Sequence, residues 1–196
     1  MTTEELNVEK SKYMIATNGG IALPAAGFIY WLLLGMAGYY LEANTWALLG
    51  FFTSGLIFPL GLLLSKPLHA NLMIKGPLSG LVLPAMTSMF LSWPMIISGY
   101  LTDVSLVPLL LAIGMSLHWP VIGWMYGSKV CLIHAISRVA IVTILWFVLP
   151  GYRFTLIPMG VSIIYLITIF GLKNEVKKAA HSIHAFTMES IQTHNL

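Results

Sequence analysis

The stretch Lys129–Leu149, KVCLIHAISRVAIVTILWFVL, decides the fold. It holds twelve Val, Leu, Ile or Phe residues and one interior charge, Arg138. An arginine at the centre of a bilayer-crossing helix costs about 2.5–3.5 kcal/mol on insertion scales. Against this, apolar side chains contribute about 0.3–0.6 kcal/mol each, or about 4–7 kcal/mol for this stretch. The apolar sum is the larger, and Arg138 stands off-centre, where its cost falls. The stretch therefore reads as a membrane span.

The same arithmetic extends outward along the chain. Uncharged runs of 29, 23, 27, 25 and 19 residues separate Lys12 from Glu42, Glu42 from Lys66, Lys75 from Asp103, Asp103 from Lys129 and Arg153 from Lys173. A helix crossing a hydrocarbon core of about 30 Å needs about 20 residues. Each run is long enough for one span and too short for two. The predicted helices are Gly20–Tyr40, Thr45–Leu64, Leu78–Tyr100, Val104–Tyr126, Val130–Leu149 and Phe154–Leu172. Of the 196 residues 58% are hydrophobic and 9% charged, against about 25% charged in soluble domains. Too few charges are present to cover a soluble surface, and nucleic-acid binding would need a dense Lys/Arg face.

The fold class that follows is an all-α integral membrane protein. Six transmembrane helices form three antiparallel hairpins, joined by short outer connections near residues 41–44, 101–103 and 150–153. It is a single domain. Residues 1–19 form a cytoplasmic N-terminal helix, 20–172 the six-span bundle, and 173–196 a cytoplasmic amphipathic helix or tail. With six spans, Lys10, Lys12, Lys66, Lys75, Lys129, Lys173, Lys177 and Lys178 share one side, and Arg153, Glu42 and Asp103 the other. Lysine and arginine are retained on the cytoplasmic side, so both termini are expected inside. A five-span alternative would put the C-terminal lysines outside.

Glu4, Glu5 and Glu9 replace the basic start of a signal peptide. Thr2 and Glu5 instead fit a capping box, with Leu6, Lys10 and Tyr13 on one face of a short helix. In the C-terminal segment Val176, Ala180, Ile183 and Thr187 share a face, flanked by Ala179 and Phe186. Pro24, Pro59, Pro84, Pro94, Pro120 and Pro158 fall within predicted spans, and each removes a backbone hydrogen bond, so several spans are expected to kink. Gly123 and Gly127 allow close helix approach, within the chain or in a homo-oligomer. Cys131 is the single cysteine; with His134 it is too few ligands for a metal site.

One polar constellation stands out. His118 lies about eight residues from the inner end of its span and Arg138 about nine from that of the next, which puts both some 12–14 Å deep at 1.5 Å per residue. His134 is one turn from Arg138 on the same face. Tyr30, Thr87, Ser88, Ser162 and Tyr165 fall near that layer. The predicted spans contain no Asp or Glu. Arg138 must then bind carbonyls freed by Pro120 or Pro158 and nearby hydroxyls, reach lipid phosphates, or meet an anionic ligand. No paired carboxylates, zinc motif, nucleophile elbow or Walker sequence is present, so no catalytic residue, cofactor or metal is assigned.

The runs Gly55–Lys66 (GLIFPLGLLLSK) and His118–Lys129 (HWPVIGWMYGSK) resemble small bacterial multi-pass membrane proteins of a family of unknown function. The resemblance implies a bacterial inner membrane location and no established activity. The leading functional expectation is a small transporter- or receptor-like bundle. It would bind an anionic metabolite or lipid headgroup in a cytoplasm-facing polar cavity around Arg138, lined by His134, His118, Tyr165, Ser162, Thr87, Ser88 and Tyr30. The alternatives are an accessory protein that assembles with other membrane proteins, and an intramembrane enzyme acting on lipid.

Overall fold

In the computed structural model, which describes the backbone of residues 2–194 and the side chains of residues 2–184, the chain begins with the expected capping box. Thr2 Oγ1 accepts from the Glu5 N–H at 3.2 Å and Glu5 Oε2 from the Thr2 N–H at 2.7 Å, opening α1 (Thr3–Ala16). Its predicted face docks on the bundle. Tyr13 is buried and stacks on Tyr126 with ring centroids 5.8 Å apart, and Lys10 Nζ lies 3.9 Å from the centroid of the Trp124 ring. Asn18, Gly19 and Gly20 then take φ values of 50°, 62° and 62°, the left-handed region favoured by Asn and Gly, and so break the chain sharply into the next helix.

The remaining helices are α2 (Ala22–Ala37), α3 (Ala43–Ser54), α4 (Ile57–Ser65), α5 (Val82–Phe90), α6 (Trp93–Thr102), α7 (Val107–Gly114), α8 (Trp119–Tyr126), α9 (Lys129–Val148) and α10 (Arg153–His194). No strand occurs among the described residues. Five stretches are long and apolar enough to cross a membrane: Asn18–Ala37, Ser79–Thr102, Val104–Tyr126, Lys129–Val148 and Pro150–His184. The pair α3 and α4, bent by 47°, makes a sixth if it counts as one span. The last apolar stretch and the C-terminal segment are one continuous helix. Val176 and Ala179 pack on the core while Ala180 is exposed, so the contact face is rotated from the expected one. The side chains of Phe186 and Thr187 lie outside the described residues.

The prolines explain where the helices break. A proline ring conflicts with the carbonyl four residues earlier. For Pro59 that carbonyl belongs to Gly55, and α3 ends at Ser54. Pro94 and Pro120 likewise stand in the first turn of α6 and α8, just after the interruptions at 91–92 and 115–118. Pro24 and Pro84 occupy first turns, where the missing N–H has no intrahelical role. Pro158 is absorbed inside α10 without a break.

The helix α10 is central, packing against α1, α2, α7 and α9, and α2 is its most extensive partner. Helix α9 is amphipathic in the inverted sense. Its buried residues are Cys131, His134, Ala135, Arg138 and Val142, whereas Ile133, Ile136, Ile144 and Phe147 are 59–70% exposed. A polar side turned inward and an isoleucine side turned outward suit a hydrocarbon surround, not water. Gly123 is engaged within the chain, since a Cβ there would lie 3.0 Å from Cys131 Cβ, and Gly127 ends α8 with φ 63°.

Two polar clusters fasten the ends of the bundle. At one end Asp103 accepts from the N–H and hydroxyl of Ser105, both at 2.9 Å. Those two bonds, helped by Arg153, hold its carboxyl below the usual carboxylate range. Arg153 donates to the Trp146 carbonyl at 2.9 Å and to Ser105 Oγ at 3.0 Å, joining the 103–105 connection to the α9–α10 connection. At the other end Glu175 of α10 caps α9. It accepts from the N–H groups of Lys129 and Val130 at 3.1 and 3.2 Å and from the Ser128 hydroxyl, while Ser128 Oγ accepts from the Cys131 N–H. A carboxylate at a helix N-terminus satisfies orphan donors and complements the helix dipole. Glu175→Ala is expected to lower stability by about 1–2 kcal/mol, read as a reduced unfolding midpoint in detergent; an unchanged midpoint would deny the cap any weight.

Candidate functional site

The inward face of α9 delivers His134 and Arg138 one turn apart. Helix α10 brings Tyr165 and Thr168, α2 brings Trp31, and the start of α8 brings His118 and Trp119. Arg138 is 0% exposed and His134 1%. Arg138 Nη1 donates to the Tyr165 hydroxyl at 3.1 Å. Its guanidinium carbon lies 4.9 Å from the centroid of the Trp31 ring and 5.3 Å from that of Tyr165. Among the described residues Nε and Nη2 have no hydrogen-bond partner. Three N–H donors sit on those two atoms.

Among the described residues the surroundings add donors and no carboxylate. The indole nitrogens of Trp31 and Trp119 and Nδ1 of His118 also lack partners among the described residues, although a buried indole N–H usually finds one. His134 is stacked on Trp119 with ring centroids 4.0 Å apart and meets the Tyr165 ring edge-on at 4.8 Å. Its Nδ1 is 2.7 Å from Thr168 Oγ1. The Thr168 hydroxyl itself donates to the Ile164 carbonyl at 2.8 Å. A threonine hydroxyl has one proton; given to the Ile164 carbonyl, it makes Nδ1 the donor to Thr168 and Nε2 the acceptor, the tautomer assigned to His134 here. Among the described residues Nε2 too has no partner.

Four of the predicted residues thus come together: Arg138, His134, His118 and Tyr165. His118 joins through Trp119, its ring centroid 5.4 Å away. Tyr30 stands at the border, its ring edge-on to Trp31 at 5.3 Å and its hydroxyl donating to the Gly50 carbonyl at 2.8 Å. Ser162 donates to the Phe28 carbonyl at 3.1 Å and fastens α10 to α2. Thr87 is exposed and bonded to the Leu83 carbonyl, and Ser88 is bonded to Ala85, so neither bonds to Arg138. They share its predicted depth, but their hydroxyls are spent on their own helix. The proline-freed carbonyls are not its partners either: the Ser116 carbonyl, released by Pro120, accepts from the Trp119 N–H at 3.0 Å.

Trp31, Trp119 and Thr168 were not among the predicted site residues, because in an apolar helix an aromatic or threonine reads as packing. Nor was Glu175, although an acid isolated among inner-side lysines was its available signal. The guanidinium is fully buried. A cavity of about 270 Å³ lies instead between α2 and the α3–α4 bend, walled by Leu33, Leu34, Leu49, Leu56, Thr53 and Tyr30. Among the described residues no three His, Cys, Asp or Glu side chains group as metal ligands.

Residues 6–175 match a family described as "Family of unknown function (DUF7010)". The chain belongs to DUF7010. No curated protein and no solved structure matches it. In this DUF7010 chain the matched region holds the apolar stretches up to residue 175 and the whole Arg138 cluster. The cluster depends on one close approach: a Cβ on Gly27 would lie 2.6 Å from Tyr165 Cζ. Gly27→Ala is therefore expected to displace the Tyr165 ring and to cost about 1–3 kcal/mol, measured by thermal unfolding in detergent, and an unchanged melting curve would show that the ring has slack.

Proposed function

We propose that this DUF7010 chain is a bacterial inner-membrane protein of six spans with both termini cytoplasmic, and that Arg138 is the centre of a binding site for an anionic group. The class is a small transporter- or receptor-like bundle. Its ligand is an anionic metabolite or a lipid headgroup, and the sealed structure is its closed state. The lysine distribution supports the orientation, and the resemblance to bacterial multi-pass proteins supports the location. A reporter fused after Leu196 is expected to read as cytoplasmic; a periplasmic signal would overturn the six-span orientation.

The observation that carries the site is the excess of buried donors at Arg138. Burying a guanidinium costs several kcal/mol. One charged hydrogen bond contributes about 1.5–3 kcal/mol, and each ring contact about 0.5–2. These offset the burial of the charge only in part, and leave two guanidinium nitrogens and two indole N–H groups unmatched among the described residues. An anion would match them together, and buried ionisable groups in membrane spans mark ligand and ion pathways.

The ring contacts themselves favour a second reading, in which Trp31 and Tyr165 clamp Arg138 for structural purposes only. Arg138→Met separates the two. Replacing a buried charge by an apolar chain of similar length is often neutral or stabilising. Under the binding reading the variant folds, melts at the same temperature or higher, and loses the stabilisation that added phosphate gives the parent protein. A variant that melts lower, from a parent protein indifferent to anions, would establish the clamp instead.

A further inference from the structure

The donors of the cluster call for an anion, but one buried group calls for something else. Where Thr168 gives its one proton to the Ile164 carbonyl, 2.8 Å away, Nδ1 holds the ring proton and His134 Nε2 carries a lone pair. Nε2 is sealed from solvent and unpartnered among the described residues. It lies in the same cluster as the unmatched N–H groups of Arg138 and Trp119. A bare oxyanion such as sulfate offers acceptors only, and so would leave this nitrogen unsatisfied. The geometry points to a ligand that presents both, an oxyanion that keeps one O–H of its own, as a hydrogen phosphate group does. Its oxygens accept from Arg138 and the indoles, and its O–H donates to His134 Nε2.

This inference rests on the anion-binding reading above and names the chemistry of the bound group. Thr168 is a positioning residue in it, setting which ring nitrogen accepts without touching the ligand. Sites built to hydrogen-bond a ligand O–H reject analogues that lack it, because the buried acceptor is then left unpaired. The phosphate could be free or carried on a lipid, and the two sources share this chemistry.

The test compares inorganic phosphate with sulfate at neutral pH and matched ionic strength, on the full chain in detergent, with the shift in unfolding midpoint as readout. Nanodiscs doped with phosphatidate provide a third arm. The parent protein is expected to bind phosphate at least about tenfold more tightly than sulfate. In His134→Phe, which keeps a ring against Trp119, the preference for phosphate should vanish, so that the two anions become equivalent. Thr168→Val, nearly isosteric and milder should His134→Phe fail to fold, should reduce the preference by freeing the tautomer. The nitrogen-15 spectrum of His134 in the parent protein should show a protonated Nδ1 and a bare Nε2 that shifts on adding phosphate.

Stabilisation by phosphatidate without inorganic phosphate would support the inference, with a lipid as the source, provided Thr168→Val weakens it. Equal binding of phosphate and sulfate would overturn the inference and leave the anion site standing. A phosphate preference that survives both substitutions would overturn it too. Indifference to all three probes would remove the anion site and the inference together.

Discussion

A guanidinium buried without a carboxylate is the constraint around which this bundle is arranged. Arg138 can be held only where its charge is shared, and the sharing here is done by one phenol and two aromatic faces. Those groups come from α2 and α10, so the residue on α9 draws three helices to one point. Tyr165 can reach Arg138 because Gly27 lets its ring lie against the α2 backbone. Ser162, one turn earlier on α10, fastens the same two helices through the Phe28 carbonyl. The most extensive helix pairing in the protein, α2 with α10, is thus also the wall of the polar cluster.

The rest of the architecture keeps that cluster from water while leaving the outside apolar. Helix α9 turns its few polar groups inward and its isoleucines outward, the reverse of a soluble helix. The prolines divide α3–α4, α5–α6 and α7–α8 into short pieces, whereas α9 lacks proline and α10 absorbs its one. The rigid pair therefore carries most of the cluster, and the segmented helices surround it. Glu175 contributes to this rigidity, since its carboxylate joins the start of α9 to α10. The α8 start, with His118 and Trp119, follows directly on the 115–118 interruption and is the side of the cluster set on broken helix.

Much of this was legible in the residues, and the parts that were not share a cause. Charge spacing located the apolar stretches because a charge is costly in hydrocarbon wherever it points. The same cost singled out Arg138, and helical periodicity put His134 beside it. Depth along a helix follows from residue number; azimuth around the bundle does not. Thr87 and Ser88 share the predicted depth, but their hydroxyls satisfy their own helix. Trp31 and Trp119 were at the right depth on the right side, but an indole in an apolar run gives no sign of its partner. Glu175 was hidden differently: its role depends on α10 continuing straight past the apolar stretch, which a helix or a tail at 173–196 left undecided.

The cluster also bears on how a small protein can tolerate so polar an interior. Stability alone would favour an apolar side chain at position 138, since the ring contacts and one hydrogen bond only partly offset the loss of hydration. It would also favour partners for the two indoles. A fold shaped for packing would not leave a guanidinium, two indole N–H groups and an imidazole lone pair unmatched within one cluster, where each costs about 1–3 kcal/mol. Local violations of packing rules of this kind collect at functional sites. Thr168, its Oγ1 2.7 Å from Nδ1, fixes the His134 ring within this cluster, and Trp119 stacks on the same ring from α8. The unmatched groups are thus held by their neighbours and are not free to turn to other partners.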